Sequence, residues 1–554
     1  MKYSAIPLAQ TIIQLCRAKE IRHIVICPGS RNAPLTIGFT ENPYFNTYSI
    51  VDERAAAFFA LGISQQTGHP AAVVCTSGSA VLNFYPAIAE SFYSDIPLVV
   101  ISADRPADFI DIGDGQTIRQ ENVFANHILY SANLKGEVSE QIYNETQINI
   151  ALNTAIELNG PVHINAPFEE PLYHKTDTPG VRPQHVAPRS FVSKPIENLP
   201  EIHKQWKEAR KILVLVGVLK PHSVERKYVE KLANDPRILM MTETTSNLLH
   251  EKFISSIDPL INSFTQSQKE NFQPDLLLTF GGMVVSKKIK ALLRDYKPTH
   301  HWHVDSKKAY DTYFSLTQHF KMRINDFFEE FLEDEITAPS DYQSEFLALK
   351  NYRLERHNEF CSQVSYSDFK VFDLILKALP ENCQIQLSNS AVVRYSQLFS
   401  IKPGLEIYCN RGTSGIDGST STAIGSAVGS AKETVFITGD LSFLYDSNAL
   451  WNNYIPKNFK IVIINNGGGG IFRILPGEKD TPNFDKYFET IHSHSAKHLA
   501  AMFGFLYTEI SNETELSSSL NDFFREKNHP QILEIFTPRI QNDRVLKKYF
   551  EFLE

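Results

Sequence analysis

The chain has 554 residues, of which 42% are hydrophobic and 21% charged, which predicts three or so globular domains with ample core. A formal net charge of −9 argues against nucleic acid as a partner. No apolar run reaches the about 18 residues of a membrane span, and the N-terminus lacks a signal-peptide cleavage pattern, so we expect no membrane partner and a cytoplasmic location. Six scattered cysteines without a CxxC pair imply neither disulfides nor zinc.

The first third of the chain alternates helices with short apolar strands. An amphipathic helix at the start has Leu8, Ile12 and Leu15 on one side, and apolar runs at 23–27, 71–76 and 97–103 predict strands. Such alternation is typical of a parallel sheet covered by helices. We therefore expect an α/β domain over residues 1–180.

A second α/β domain is predicted over residues 195–340. Five prolines between residues 174 and 200 indicate a linker before it, and the strands that follow are predicted at 211–219, 237–241, 275–280 and 301–305. The acidic segment at 326–341 predicts a solvated helix end followed by a linker.

The third domain, predicted over residues 345–554, contains the most informative stretch. Apolar strands at 434–438 and 459–464 end on Asp440 and on Asn466, and four glycines follow. Because the carboxyl ends of neighbouring parallel strands face one crevice, the two polar side chains can converge there. A carboxylate, an amide oxygen and a carbonyl of the glycine run suit Mg²⁺, and glycines let the backbone approach a phosphate.

A strand ending in GD, followed about 25 residues later by NN, resembles the signature of thiamine diphosphate-dependent enzymes, although Leu441 stands where that family usually has glycine. GDLS, NN and GG-x-IF resemble more narrowly the 2-succinyl-5-enolpyruvyl-6-hydroxy-3-cyclohexene-1-carboxylate synthases of menaquinone biosynthesis. The resemblance implies three doubly wound parallel-sheet domains in the order pyrimidine-binding, central and diphosphate-binding. The alternative is a sheet whose strands end in ordinary turn residues.

The resemblance also implies an activity and its partners. A thiamine diphosphate-dependent carboligase of this family, a transferase, decarboxylates 2-oxoglutarate and adds the resulting succinyl carbanion equivalent to isochorismate in a 1,4 sense. Its cofactors are thiamine diphosphate and Mg²⁺, with Mn²⁺ as a substitute. The first domain of one subunit would face the third domain of another, which implies a homodimer or homotetramer with the active site at the subunit interface.

Glu53 occupies the position of the family's cofactor-activating glutamate, in DERAAAF at the start of a predicted helix. That glutamate hydrogen-bonds the aminopyrimidine ring and must be at least partly protonated, which an apolar site favours. The alternative interpretation of Glu53 is an acid in the first turn of a helix, stabilised by the helix dipole.

The remaining site residues are transferred by resemblance, residue by residue. Ile416 would support the cofactor in its bent conformation, or else be a loop hydrophobe in the core. The hydroxyls at 419–422 predict N-caps at an anion-binding helix start. The metal would be held by Asp440, Asn466 and Gly468, and the cofactor by Glu53, Ser77, Gly412, Ile416, Gly439, Asp440, Leu441, Ser442, Asn466, Gly468, Gly469 and Ile471.

Two dianionic substrates need basic side chains that neutralise carboxylates. The residues assigned to catalysis with Glu53 are Ser30, Arg31, Gln116, Ser390, Arg394 and Arg411. Those assigned to substrate binding are Arg105, Lys287, Ile471, Phe472 and Leu475. Lys288 competes with Lys287 for its role, single arginines are often surface residues, and ordinary core packing also explains the three apolar residues.

Two other functions remain open from the sequence. One is another thiamine diphosphate carboligase or 2-oxo acid decarboxylase, similar to acetohydroxyacid synthase, and the other is a catalytically silent protein that binds thiamine diphosphate. No histidine falls within the motifs, which argues against a decarboxylase with paired active-site histidines. His492, His494 and His498 have a helical spacing that could bind metal, but a plain helix face explains it better.

Overall fold

The computed structural model describes residues 2–332, 339–475, 477, 479 and 481–554. These residues form three parallel β-sheets with helices packed on them. The predicted α/β class with doubly wound parallel sheets is confirmed. Within the described residues, no helix is long and apolar enough to cross a membrane.

The first domain contains a six-stranded parallel sheet and a short antiparallel pair. Its strands are β1 (Tyr3–Ser4), β2 (His23–Ile26), β3 (Asn46–Ser49), β4 (Ala71–Cys75), β5 (Leu98–Asp104), β6 (Tyr130–Asn133), β7 (Pro161–Pro167) and β8 (Lys175–Thr176). Its helices are α1 (Pro7–Ala18), α2 (Ala33–Thr40), α3 (Glu53–Thr67), α4 (Ser79–Asn83), α5 (Tyr85–Ser94) and α6 (Gln141–Leu158). β1 pairs with β8, and the sheet has the order β3-β2-β4-β5-β7-β6.

The second domain contains a five-stranded parallel sheet. Its strands are β9 (Ile212–Val216), β10 (Ile238–Met241), β11 (Leu276–Phe280), β12 (His300–Val304) and β13 (Gln318–Phe320). Its helices are α7 (Leu199–Glu208), α8 (Arg226–Asn234), α9 (Ile257–Ile261), α10 (Gln266–Phe272), α11 (Lys287–Asp295) and α12 (Ile324–Phe331). The strand order is β10-β9-β11-β12-β13.

The third domain contains a second six-stranded parallel sheet. Its strands are β14 (Gln384–Leu387), β15 (Glu406–Cys409), β16 (Thr434–Gly439), β17 (Lys460–Asn465), β18 (Leu506–Ile510) and β19 (Gln531–Phe536). Its helices are α13 (Tyr342–Gln363), α14 (Asp368–Ala378), α15 (Ala391–Ser396), α16 (Ser419–Gly429), α17 (Asp440–Tyr445), α18 (Ile471–Ile474), α19 (Lys497–Phe503), α20 (Glu513–Arg525) and α21 (Asn542–Phe552). The strand order is β15-β14-β16-β17-β19-β18.

The first and third domains share one topology. Counted from β2 and from β14 in chain order, both sheets have the strand order 2-1-3-4-6-5. No sequence repeat accompanies this likeness, so only the fold reveals that the two domains are structurally related.

Helix α3 of the first domain packs directly on α16 of the third domain within one chain. A Cβ on Gly425 in α16 would lie 2.0 Å from the backbone oxygen of Phe59 in α3. A Cβ on Gly62 in α3 would lie 2.2 Å from the backbone oxygen of Thr422. The two backbones approach this closely because neither glycine carries a side chain.

The acidic segment at the end of the second domain differs from its prediction. Helix α12 buries Phe327, Phe328 and Phe331 in the core of the domain, so this part is an amphipathic helix with an aromatic face. The sequence suggested solvation because acidic residues alternate with these aromatics. The linker expected after α12 includes residues 333–338, which lie outside the described residues.

Candidate active site

The polar ends of β16 and β17 lie together, because these two strands are neighbours in the third sheet. Asp440 is buried at the start of α17, and its Oδ2 atom accepts a 2.9 Å hydrogen bond from the backbone N–H of Gly468. Its Oδ1 atom accepts a 2.7 Å bond from the backbone N–H of Leu441, which is half-buried. The strand end and the glycine run therefore meet at one carboxylate.

Asn466 has the orientation that a metal ligand needs. Its Nδ2 group donates to Oδ2 of Asp368 at 2.9 Å, whereas its buried Oδ1 atom has no hydrogen-bond partner among the described residues. Asp368 also accepts a 2.6 Å bond from the Thr537 hydroxyl, and burial raises the pKa of Asp368 to about 6. Asp368 thus fixes the amide so that its oxygen stays free, which fits an oxygen-bound Mg²⁺.

The histidine segment near this site is not the helix face that its spacing suggests. His492 and His494 precede α19, and only His498 belongs to that helix. The Nε2 atom of His492 lies 3.2 Å from Oδ2 of Asp440, and its ring stacks on that of His494. The spacing was misleading because the chain at His492 lies against the glycine run, where its N–H donates to the backbone oxygen of Gly467 at 3.1 Å, and the helix begins only at Lys497.

The glycine run is held by a buried glutamate that pairs with two partly exposed arginines. Glu489 is fully buried and accepts hydrogen bonds from Arg473 at 2.6 Å and from Arg539 at 2.6 Å. Its backbone oxygen accepts a 2.6 Å bond from the N–H of Gly469, and a Cβ on Gly468 (φ +150°) would lie 2.6 Å from that same oxygen. The loop can therefore adopt this conformation only with glycine at 468.

The residues expected along the cofactor lie on two joined segments. The hydroxyl of Ser442 donates a 2.7 Å hydrogen bond to the backbone oxygen of Ile416. Ile416 is half-buried and belongs to none of the apolar cores formed by the described residues, which disfavours a simple core role. Gly439 is the last residue of β16, and its N–H donates a 3.4 Å hydrogen bond to the Ser388 hydroxyl.

The start of α16 is occupied by the protein's own carboxylate. Asp446 is fully buried and accepts 2.7 and 3.0 Å bonds from the N–H and hydroxyl of Ser421. Burial raises the pKa of Asp446 to about 7. The expected N-cap hydroxyls make no capping hydrogen bond, and Gly418 is the N-cap residue. The prediction that these hydroxyls cap the helix is wrong, and sequence does not reveal that Asp446 returns to this helix end and pairs with Ser421.

Glu90 holds the loop that carries Arg411 and Gly412. It is 1% exposed in α5, and its carboxylate accepts 2.7 Å bonds from the N–H groups of Gly412 and Thr413. The hydroxyls of Thr413 and Ser94 complete the set at 2.8 and 2.7 Å. A first-domain side chain thus positions a loop of the third domain.

Replacing Glu90 with glutamine should destabilise the protein and weaken substrate use. The amide group would face N–H and O–H donors, and each unpaired buried donor costs about 1–3 kcal/mol. We expect a lower unfolding midpoint and a KM raised by about tenfold. The matched control is Ser94→Ala, which removes one donor but leaves both loop N–H groups paired; a Glu90→Gln variant that behaves like this control would contradict the positioning role.

Arg394 and Arg411 form one basic group with a lysine of the second domain. Arg411 donates from Nη1 to Oδ1 of Asn389 at 2.7 Å, and Arg394 donates to the backbone oxygen of Ser390 at 2.6 Å. Burial and the nearby Arg411 lower the pKa of Arg394. Burial lowers the pKa of Lys290, with nearby Glu243 opposing and Arg411 adding to that effect.

Helix α11 presents three lysines near this group, each in a different setting. Lys287 is exposed, and Lys288 binds Asn262 Oδ1 and lies over the Phe550 ring, 3.7 Å from its centroid. Lys290, one helical turn after Lys287, is the lysine that interacts electrostatically with Arg411. Residue spacing on α11 could have suggested Lys290 as an alternative to Lys287.

Glu243 fixes the start of α11. Its carboxylate is 1% exposed and accepts 2.7 Å bonds from the N–H groups of Val285 and Ser286. Burial raises the pKa of Glu243 to about 7. The Ser286 hydroxyl binds Asp258, so two acids of the second domain determine where the lysines of α11 lie.

A second basic group lies in the first domain. Arg31 is 6% exposed and donates to the backbone oxygen of Phe168 at 2.9 Å, and burial together with nearby Arg105 lowers its pKa. Arg105 forms a 3.1 Å ion pair with Asp114. Ser30, which precedes Arg31, and Gln116 are both exposed. The carbonyl of Gln116 lies close to Gly78, the residue after buried Ser77.

Glu53 begins α3 as a half-buried carboxyl group. Asp52 is the N-cap residue, accepting a 3.1 Å bond from the N–H of Ala55, so Glu53 does lie in the first turn of the helix. Burial raises the pKa of Glu53, as the cofactor-activating role requires. Within one chain, no hydrogen bond or ion pair between described residues joins Glu53 to Asp440 or Asn466.

The apolar residues after the glycine run are not core residues. Ile471 and Leu475 are half-buried, and Phe472 is 37% exposed with its ring 6.0 Å from that of Phe488. Their exposure disfavours the core-packing alternative and leaves them free to cover a ligand.

Comparisons with known proteins give a consistent result. The family model "Thiamine pyrophosphate enzyme, N-terminal TPP binding domain" matches residues 6–127, and "Middle domain of thiamine pyrophosphate" matches residues 191–387. Proteins named 2-succinyl-5-enolpyruvyl-6-hydroxy-3-cyclohexene-1-carboxylate synthase from Flavobacterium johnsoniae, Flavobacterium psychrophilum and Christiangramia forsetii are 55%, 56% and 52% identical to this chain. Each comparison covers 100% of this chain and 100% of the relative, and so includes all three domains.

Proposed function

The chain belongs to the family of 2-succinyl-5-enolpyruvyl-6-hydroxy-3-cyclohexene-1-carboxylate synthases, which are thiamine diphosphate-dependent enzymes, and we propose that it catalyses the reaction of that family in menaquinone biosynthesis. It decarboxylates 2-oxoglutarate and adds the succinyl unit to isochorismate. The observation that carries the proposal is the sequence identity of 52–56% between this chain and the three named synthases over the whole length. The meeting of Asp440, Asn466 and the glycine run at one point supports it.

Thiamine diphosphate and Mg²⁺ would be held at the ends of β16 and β17. Asp440 and the free Oδ1 atom of Asn466 would bind the metal with the carbonyl of Gly468, leaving other positions for diphosphate oxygens. Bound there, the cofactor supplies the electron sink for decarboxylation. Ser442 holds the backbone of Ile416, which would lie against the cofactor. The N–H groups of Gly468 and Gly469 are paired with Asp440 and Glu489, so these glycines shape the loop around the metal ligands.

Glu53 serves as the proton-handling residue of the site. Its raised pKa keeps a proton on the carboxyl group over a wider pH range, so it can donate a hydrogen bond to the pyrimidine ring of the cofactor. Because no hydrogen bond or ion pair among the described residues joins Glu53 to Asp440 or Asn466 within one chain, we assign the complete site to an interface between two copies. A dimer or tetramer with two-fold symmetry would build two such sites in each pair of chains.

The two basic groups neutralise the substrate carboxylates. Arg394, Arg411 and Lys290 lie on the second and third domains, whereas Arg31 and Arg105 lie on the first domain. Across a subunit interface the groups would approach one cofactor from opposite sides. Ile471, Phe472 and Leu475 would exclude water from the reacting carbon.

Replacing Arg394 or Arg411 with alanine should mainly weaken substrate use. Loss of a charge-assisted hydrogen bond to a carboxylate costs about 1.5–3 kcal/mol, so kcat/KM should fall about 10- to 100-fold, chiefly through KM. Steady-state kinetics with each substrate varied would measure this. Arg226→Ala, an exposed arginine on α8, is the control, and unchanged saturation by both substrates in the Arg394 and Arg411 variants would refute the assignment.

The reaction itself is tested by following the ultraviolet absorbance of isochorismate with purified protein, 2-oxoglutarate, Mg²⁺ and thiamine diphosphate, each omitted in turn. Consumption that requires all components supports the proposal. If isochorismate is untouched while 2-oxoglutarate or pyruvate loses CO₂, the protein is a different thiamine diphosphate enzyme. No reaction with any acid would indicate a silent binding protein.

A further inference from the structure

Arg353 on α13 is a buried cation without the partners that burial normally requires. It is 6% exposed, and its Nε and Nη1 atoms have no hydrogen-bond partner among the described residues. Arg237 shows the usual solution at similar burial, since it pairs with both oxygens of Asp235 and with the backbone oxygen of Trp206. Burial lowers the pKa of Arg353, and nearby Tyr352 and Glu554 oppose that effect. Neither of them accepts a hydrogen bond from Nε or Nη1, so these two buried donors would be stabilised by an added acceptor.

Arg353 lines a cavity of about 50 Å³ where the second and third domains meet. The cavity walls come from the segment before and within α9, from α13, from the chain after α15 and from α21. Its polar lining besides Arg353 consists of Ser255, Ser256, Lys350, His357, Ser400 and Tyr549. None of the described residues that line it is acidic.

Three of the other polar side chains of the cavity already have hydrogen-bond partners. His357 shares a 2.8 Å hydrogen bond with the Tyr549 hydroxyl through Nδ1, and Lys350 donates to the backbone oxygen of Glu251. Because they belong to a cation, the two unpartnered nitrogens of Arg353 are stronger donors to an anion than the serine hydroxyls of the cavity. Nε and Nη1 lie on different edges of the guanidinium, so one oxyanion would accept a charge-assisted hydrogen bond from one of them.

We propose that this cavity binds a small oxyanion, either inorganic phosphate or sulfate or a carboxylate group, with Arg353 as its principal ligand. The volume exceeds that of a single water-sized group and fits one compact anion. The site is separate from the residues assigned to the cofactor and substrates, and the proposal does not depend on the reaction.

An anion in this cavity would affect the region near the proposed substrate-binding arginines. Pro259 and Leu260 line the cavity, and their neighbour Asp258 accepts the Ser286 hydroxyl at the start of α11. An anion bound there would thus stabilise the packing of α9 on α13, next to the start of the helix that carries Lys290.

Selenate is the direct probe, because selenium has a distinctive X-ray anomalous signal. Crystals of the enzyme with thiamine diphosphate and Mg²⁺, grown without phosphate or sulfate, are soaked in selenate. We expect an anomalous peak whose oxygens lie within hydrogen-bond distance of Nε or Nη1 of Arg353. Ordered water alone at both nitrogens would overturn the proposal.

Thermal unfolding in solution provides a second test and distinguishes the anion sources. At constant ionic strength and saturating thiamine diphosphate, phosphate should raise the unfolding midpoint by about 2 °C in the wild type and not in Arg353→Met. Arg356→Met, one turn along α13, is the matched control and should retain the shift. A shift of the unfolding midpoint with succinate but not with phosphate would assign a carboxylate ligand. An equal shift in wild type and Arg353→Met for both anions would refute the site. If Arg353→Met does not fold, Arg353→Lys replaces it.

Discussion

Replacing Glu53 with glutamine is expected to reduce turnover by about 10²–10⁴-fold while thiamine diphosphate still binds. Glutamine has nearly the same size and can fill the same space, but its amide cannot exchange a proton with the cofactor ring as a carboxyl group does. The raised pKa of Glu53 comes chiefly from burial, which favours the neutral form that the ring requires. The effect should therefore appear in kcat more than in cofactor affinity.

The measurement separates this role from that of a helix first-turn acid. If Glu53 only interacts with the helix dipole, its replacement should cost about 0.3–1 kcal/mol of stability and leave turnover intact. Steady-state rates, cofactor titration and thermal unfolding would be compared for Glu53→Gln and for Glu201→Gln, which removes the exposed first-turn acid of α7. Near-normal turnover in Glu53→Gln would remove this residue from the mechanism.

Replacing Asp440 with alanine is expected to abolish activity by preventing metal-dependent cofactor binding. The change removes the only carboxylate assigned to the metal and leaves the N–H of Gly468 without its acceptor. Since losing even an outer partner of a metal ligand costs about 10–100-fold, the affinity for thiamine diphosphate with Mg²⁺ should fall at least as far. Titrations with and without Mg²⁺ measure the effect, and wild-type metal dependence in the variant would contradict the assignment.

The same two variants test whether the active site lies between subunits. Glu53→Gln and Asp440→Ala chains, each inactive alone, are co-expressed with different tags and purified together. A mixed dimer would contain one site with both changes and one with neither, so a purified heterodimer should recover about half of wild-type activity if the sites form across a two-fold axis. No recovery would place each site within one chain.

The fold was predictable where strands are buried on both faces. β4 and β17 are buried along their whole length, and such strands have continuous apolar sequences that stand out from their surroundings. The edge strand β3 has the exposed, polar sequence NTYS and could not be distinguished from a loop. The likeness of the first and third domains was also invisible in sequence, because strand order leaves no repeated residues.

The site was predictable where one strand end supplies the chemistry, as at Asp440 and Asn466. The residues that position it were not. Glu90 bonds to Gly412 across 322 positions, and Asp368 bonds to Asn466 across 98 positions. Each of these acids lies in a helix with no neighbouring motif, so only the folded chain reveals what it holds.

The contact between α3 and α16 has a consequence for co-translational folding. The first domain emerges from the ribosome and folds before the third has been synthesised, since domains generally fold in the order of translation. Until α16 arrives, the α3 surface around Phe58 and Gly62 and the Glu90 carboxylate face water without their partners. The nascent chain therefore exposes an aggregation-prone apolar surface through most of its translation. A chaperone that covers this surface would bind the nascent chain and not the folded enzyme.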